Sequence, residues 1–484
     1  MLPPALHHDL ERVVAGYLQG SIKMYNTRSI RSSARGSIVA AVDALDALIG
    51  ASLARIWTAV YAQLNELVPI NVLPNELICA IAQSLPLADK VAMTHVCGRW
   101  RRVLLADPSQ WDRISVGGPR TTGTLALHAL PVILKRTRDV PVFLSVNVAT
   151  TCNLDATWRT LGTHFSHVAA LSLRSVPARD LEKVASVLGL HSPLMERLEV
   201  RVRGINKLRL TTDALTILSK PRLAHLALEN ASMPRAPLPL VQHMTFDDLL
   251  LSSPNEIGQL LEDAPNLRSL SLRVCWSTYH PPPRIHPRHN LDKLELTCNY
   301  TSHALWILQL LRAHTIRDVT ITVTGSNQQL PLQFVLEHRY NGITTTLRPT
   351  SMTFFSDSAH TGSFGLRFSD GTMTRTAMYN EEQFSDHVWS YIIGANYPSP
   401  SRWEVPIASW RTFVRRVAHC FPQGPRELVV DLAGWDGQYL GYERLSCPVL
   451  QDVVFRNAPT PVMLAQPFLA MLDVGHRPLR IHFE

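Results

Sequence analysis

Apolar positions along the chain fall into three successive rhythms. Between residues 38 and 64, Ile38, Val42, Leu45, Leu48, Ile49, Leu53, Ile56, Val60 and Leu64 recur at steps of three and four, the spacing of one face of an α-helix. That face is expected to pack against the domain that follows, with a membrane surface or a partner helix as the alternative. From Ile70 the runs shorten. Leu77, Ile78, Ile81, Ala82 and Leu85 follow Leu73-Pro74 at helical spacing and stop at Pro86, because proline lacks the amide a helix needs. Met93, Val96, Cys97, Trp100, Val103 and Leu104 then share a face across two short helices broken near Gly98. Asp107-Pro108 makes a turn, and Trp111 is placed to fold back onto that face. This predicts a three-helix unit with too little core to stand alone.

Beyond residue 118 the rhythm becomes apolar-x-x-apolar-x-apolar. It occurs at Val168/Leu171/Leu173, Leu223/Leu226/Leu228, Val241/Met244/Phe246, Leu267/Leu270/Leu272, Leu291/Leu294/Leu296 and Ile316/Val319/Ile321. A copy with one extra residue starts at Leu194, so successive starts lie 26, 29, 18, 26, 24 and 25 residues apart. A period of this length matches leucine-rich repeats, each giving one short parallel strand and a return segment. The returns at 253–266, with Ser253 as cap and Glu256 three residues on, and at 301–314 read as helices. Residues 330–400 read as a β-rich insertion, because Phe364, Leu366 and Phe368 alternate ahead of Asp370-Gly371, a hairpin signal. Trp410, Phe413, Val414 and Val417 mark a further helix. The strand rhythm then returns at 426–432 and at Leu450/Val453/Phe455.

The expected architecture is therefore α/β: a helical segment over 1–66, a three-helix module over 67–118, and a leucine-rich-repeat-like solenoid over 119–484. Composition agrees with a folded chain. Of 484 residues, 46% are hydrophobic and 18% charged, too apolar for disorder. The net charge of +8 is small for this length and argues against a nucleic-acid partner. Seven scattered cysteines without a CxxC pair suit buried thiols in a reducing compartment. No secretory signal precedes the helix, and Asp43, Asp46 and Arg55 interrupt the longest apolar stretch, which argues against a membrane span. The expected location is cytoplasmic or nuclear, in solution.

The stretch "VCGRWRRVLLADPSQW" (96–111) is where chemistry might be sought. Cys97 has no base placed beside it by the sequence, so a packed thiol is favoured over a nucleophile. His95 and Cys97 lack a second pair at zinc-binding spacing. Arg99, Arg101 and Arg102 are read as a solvated or partner-facing side of the helix rather than a phosphate grip. His280, His286 and His289 near Cys275 and Cys298 could hold a metal, but an exposed proline-rich loop is favoured. No GxSxG, P-loop, GxGxxG or HExxH is present, so no catalytic, metal or cofactor-binding residue is assigned and no enzymatic activity is expected.

"LPNELICAIAQSLPLADKVAMTHVCGRWRRVLLADPSQWDRI" (73–114) resembles an F-box, in the F-box-like form common in fungal proteins with leucine-rich repeats. The resemblance rests on Leu73-Pro74, the helix Leu77–Leu85, the Leu85-Pro86 break, Val96-Cys97, Trp100, Pro108 and Trp111. It departs at Ala82, where the family often carries a bulky aromatic. In the family this unit docks on the Skp-type adaptor of cullin–RING ubiquitin ligases. The resemblance thus implies an adaptor surface drawn from Leu73, Pro74, Leu77, Ile78, Ile81, Leu85, Val96, Trp100, Leu104 and Trp111, with a cullin beyond the adaptor. Side chains alternate along a strand, so the repeats are expected to present Arg174, Arg197, Arg201, Arg273 and Lys293, interleaved with Glu199, Glu229, Asp247 and Glu295. That mixed face suits an unknown target protein. Two functions follow: a substrate-recognition subunit of a ubiquitin ligase, or an interaction scaffold outside any ligase.

Overall fold

A computed structural model describes residues 12, 15, 16, 19, 34–66, 68–117, 126–148, 154–204, 221–231, 237–249, 255–274, 289–324, 337–340, 343–346, 350–356, 363–380, 400–416, 421, 423–433, 444–457, 468–474 and 478–484. The chain is mixed α/β and divides into two compact units, residues 1–110 and 111–484.

The first unit opens with helix α1 (Ala34–Glu66), 33 residues long. Leu48, Ile49, Leu53, Trp57, Tyr61 and Leu64 are exposed, whereas Leu45, Ile56 and Val60 are half-buried. The face expected to pack against the next domain is thus only partly covered along its described length. Periodicity reports that a face exists, and it carries no information on what covers that face. Among the described residues no helix is long and apolar enough to cross a membrane. Three short helices follow, α2 (Asn75–Gln83), α3 (Leu87–Met93) and α4 (Gly98–Ala106). Prolines set two of the starts. The Pro74 carbonyl accepts from the Leu77 and Ile78 amides, and the Pro86 carbonyl from the Lys90 amide, as expected of a residue with fixed φ at a helix entry. Ile78, Ala82, Met93, Trp100 and Leu104 form the buried centre, with Leu73, Leu85, Cys97 and Val103 packed around it.

The second unit is built on one sixteen-stranded sheet. Strands β1 (Arg113–Val116), β2 (Val142–Asn147), β3 (Val168–Pro177), β4 (Arg197–Arg203), β5 (His225–Glu229), β6 (His243–Leu249), β7 (Ser269–Val274), β8 (Lys293–Cys298) and β9 (Asp318–Val323) lie in chain order, every neighbour parallel. Leu171, Leu198, Leu226, Met244, Leu270, Leu294 and Val319 occupy one register row across seven strands. Each is at most 2% exposed. The copy at 194 is corrected: Met195 is buried and Leu194 is not, so Met195/Leu198/Val200 fits the rhythm without an extra residue. The returns include helices Asn255–Asp263 and Thr301–Leu310. Ser253, the expected cap of the first, lies outside the described residues.

Three strands of the 330–400 stretch continue this same sheet. They are β10 (Ser351–Ser356), β11 (Ser363–Ser369) and β12 (Thr374–Asn380). β12 pairs parallel with β9, β11 runs antiparallel between β12 and β10, and β10 pairs parallel with β13 (Arg402–Pro406). The β11–β12 hairpin turns at Asp370-Gly371 as expected. Asp370 accepts from the Thr372 and Met373 amides at 2.9 and 2.8 Å, and Gly371 takes φ +95°, a left-handed value that glycine adopts without steric cost. Where the row meets β12, the residue paired with Val319 is Arg375. It is 1% exposed and donates to the carbonyls of Arg317, Thr374 and Ala313. Burial pushes its guanidinium down to about 10. The parallel ladder resumes through β13, β14 (Glu427–Asp431), β15 (Asp452–Arg456) and β16 (Arg480–Phe483). The expected helix is present at Trp410–Arg416. Its Trp410, Phe413 and Val414 are buried, with Phe413 edge-on to Phe354 and Trp403 at 5.6 and 5.5 Å.

Candidate partner-binding surfaces

The ten residues assigned to the adaptor surface do not share one environment. Ile78, Trp100 and Leu104 are 0%, 7% and 1% exposed, so they hold the three helices together and present nothing to a partner. Trp111 belongs to the second unit and is fully buried, with the Arg136 guanidinium 5.0 Å from its ring centroid. Leu73 and Leu85 are half-buried against the buried centre of α2–α4. The outward groups are Pro74, Leu77, Ile81 and Val96. Leu77 and Ile81 stand one turn apart on α2, next to Ile70 and Val72 in the preceding segment, and all four are large and exposed. Ala82 is wholly buried in the core, so the departure at this position changes internal packing and leaves the exposed face of α2 untouched.

Two residues outside the assigned adaptor set, Asn71 and Arg99, fix the entry to this face. The Asn71 side-chain oxygen accepts from the Trp100 indole N–H at 2.7 Å and lies 3.8 Å from the Cys97 thiol. Arg99, read from the sequence as solvated or partner-facing, instead donates to the carbonyls of Asn71 and Leu73 and to the Asn75 side chain. It ties the Leu73-Pro74 corner to α4. Charge-assisted bonds of this kind are the stronger ones, and they pre-order the segment preceding Leu77. The partners lie 24 to 29 positions apart, beyond the reach of any local sequence rule. At the other end of α4, Asp107 accepts from the Ser109 amide and hydroxyl and from Gln110. Burial alone would raise its carboxyl, but these donors pull it below the ordinary value.

In the second unit, the five basic residues expected on the open face do project from the sheet, but four of them are ion-paired. Arg201 lies 2.6 Å from Glu199 and 3.7 Å from Glu229, and Arg174 lies 3.9 Å from Glu199. Arg273 pairs with Asp247 at 3.7 Å and Lys293 with Glu295 at 2.7 Å. Arg197 is paired in register with His225, whose ring stacks on that of His243 at 4.4 Å. Alternation correctly turns Glu199 to this face. Yet it is only 5% exposed, because arginines from its own and the neighbouring strand fold over it. Burial acts to raise the Glu199 carboxyl. Hydrogen bonds from Ser172 and Arg201, together with both arginine charges, outweigh it and hold the pKa below the usual range.

A pH dependence follows. A carboxyl with a depressed native pKa stabilises the fold above its unfolded value and loses that contribution as pH falls through the native value. Calorimetric melting of wild type and Glu199→Gln should therefore differ most near neutrality. The gap should close as pH drops below the ordinary glutamate range. A gap independent of pH would show that Glu199 acts through packing alone.

Among the described residues, no three His, Cys, Asp or Glu side chains are grouped so as to hold a metal ion. Of the histidine-rich stretch, His280, His286 and Cys275 lie outside the described residues. His289 contacts the Leu311 carbonyl at 2.5 Å, and Cys298 is buried in β8. An open groove between the helices Asp155–His164 and Leu181–Leu188 is lined by Trp158, Arg159, Lys183, Val187 and Leu190; its Lys183 is paired with Asp155 and Asp180.

Compared with known proteins, residues 70–116 match the F-box-like family model. The match takes in the Asn71 hub, the Leu73-Pro74 corner and all three short helices, about a tenth of the chain. No curated protein matches the chain.

Proposed function

We propose that this chain is a non-enzymatic substrate-recognition subunit of a Skp–cullin–F-box type ubiquitin ligase. The carrying observation is that the F-box-like stretch keeps a packed core while leaving Leu77, Ile81 and Val96 exposed beside a pre-ordered Leu73-Pro74 corner. An apolar face on a module this small is the kind of surface an adaptor covers. The in-order parallel strands of the second unit support reading it as a leucine-rich-repeat-like array. Its face of paired charges then serves as the target-holding surface, with the cullin recruited through the adaptor. Mechanism is tethering: holding target and ubiquitin-loaded enzyme together raises the effective concentration of target lysines and needs no catalytic group here. Its place of work is the cytoplasm or nucleus, where that ligase acts.

Leu77→Ala with Ile81→Ala is the test, because both side chains are exposed and the core residue Ile78 stays in place. Titration calorimetry with purified Skp-type adaptor should show a loss of affinity of roughly tenfold or more, with an unchanged circular dichroism spectrum. Leu73→Ala is less informative, since Leu73 also packs on the core. If wild type does not bind adaptor, the chain is instead an interaction scaffold outside the ligase.

A further inference from the structure

Helix α1 carries a regular apolar repeat. Ile38, Ile49 and Val60 lie eleven residues apart, as do Val42, Leu53 and Leu64, and so do Leu45 and Ile56. Eleven residues over three turns give about 3.67 per turn, close to the natural helical value, so the stripe runs nearly straight with a slow right-handed drift. An isolated helix needs no such regularity. A strict repeat along its whole length is what a second helix packing lengthwise requires. Yet Ile49, Leu53 and Leu64 are 42%, 41% and 52% exposed, and Leu45, Ile56 and Val60 are only half-buried.

We infer that α1 is a self-association element, and that the stripe is covered by α1 of a second copy of this chain. Three observations choose that occupant. The stripe runs from Ile38 to Leu64, about 40 Å at about 1.5 Å per residue, and needs a partner helix of comparable length. Apart from α1, the longest helices among the described residues have 10 residues. The repeat is self-complementary: with two copies antiparallel about Ile49, Ile38 meets Val60, Val42 meets Ile56 and Leu45 meets Leu53, while in-register parallel copies pair each residue with itself. Eight large aliphatic groups per helix, on two helices, can bury on the order of 1,000 Å² or more, enough for a specific interface. A membrane surface fits worse. Between residues 38 and 64 the helix has one basic residue, Arg55, against Asp43 and Asp46, whereas helices lying on membranes favour a basic polar face.

The inference is independent of the adaptor reading, and its test uses the full chain alone. Light scattering on purified wild type at micromolar concentration should give twice 54.1 kDa. Ile49→Asp with Ile56→Asp should return the mass to 54.1 kDa, while the melting transition of the second unit stays in place. Ala47→Asp with Ala54→Asp adds the same charge off the stripe and should remain a dimer. This control separates loss of the stripe from loss of the helix. A monomeric wild type, a dimer that survives the stripe variant, or a control that dissociates equally would each overturn the inference. So would a monomer that binds vesicles of anionic phospholipid through α1.

Discussion

Replacing Trp100 with alanine should unfold the three-helix unit while leaving the large sheet intact. Trp100 sits in a core of five buried residues, and removing a buried tryptophan side chain costs about 3–5 kcal/mol. A core this small supplies only about that much stability. The substitution also removes the 2.7 Å indole donor to half-buried Asn71, a hydrogen bond worth about 0.5–1.5 kcal/mol. Trp100→Phe separates the two effects, because it keeps most of the packing and removes the donor. Hydrogen exchange over residues 75–106 should show global opening in Trp100→Ala and a smaller loss of protection in Trp100→Phe. Full protection in Trp100→Ala would mean that the module draws its stability from elsewhere.

Leu270→Ala should strongly destabilise the sheet. Leu270 is 0% exposed and lies in register between Met244 and Leu294, so truncation opens a cavity between two strands that are themselves held by their neighbours. Strands paired on both sides relax little, which favours the upper part of the usual range of about 2–5 kcal/mol. Ser271→Ala, one position along on the half-buried opposite face, should stay within about 0.5 kcal/mol of wild type. The urea midpoint of the second unit measures both, and an unchanged slope assigns the shift to stability. Equal midpoints for the two variants would mean that the row is not the sheet's core.

The strand rows were legible because apolar residues at a period of two mark the face that a half-buried strand turns inward. The shift from Leu194 to Met195 marks the limit of that signal: both residues are apolar, and only the strand start decides between them. The resemblance located the short helices, but it could not sort Ile78 from Leu77, since neighbours on α2 differ only in the side of the helix they occupy. Arg99 was misread because its acceptors, two backbone carbonyls and the Asn75 side chain, lie more than twenty residues away, and such distant pairings have no local sequence signature. Glu199 was placed on the correct face, and its burial depended on two arginine side chains choosing to lie across it. The open face of α1 is the same limit in another form, because a stripe specifies its own spacing and leaves its occupant unstated.

Arg375 gives the hairpin between β9 and β13 a way to reject wrong pairings. Parallel neighbours in a long ladder look alike to an incoming strand, and a leucine at this position would be nearly as content one rung away. A guanidinium is not. Slipping β12 by one residue would swing it to the opposite face of the sheet, leave the carbonyls of Arg317 and Ala313 without its donors, and bury an apolar neighbour poorly. The one charge set into a row of hydrocarbon therefore works as an alignment key. It spends some stability to make the correct rung unique, at the point where the chain doubles back and the regular order of the sheet can no longer guide it.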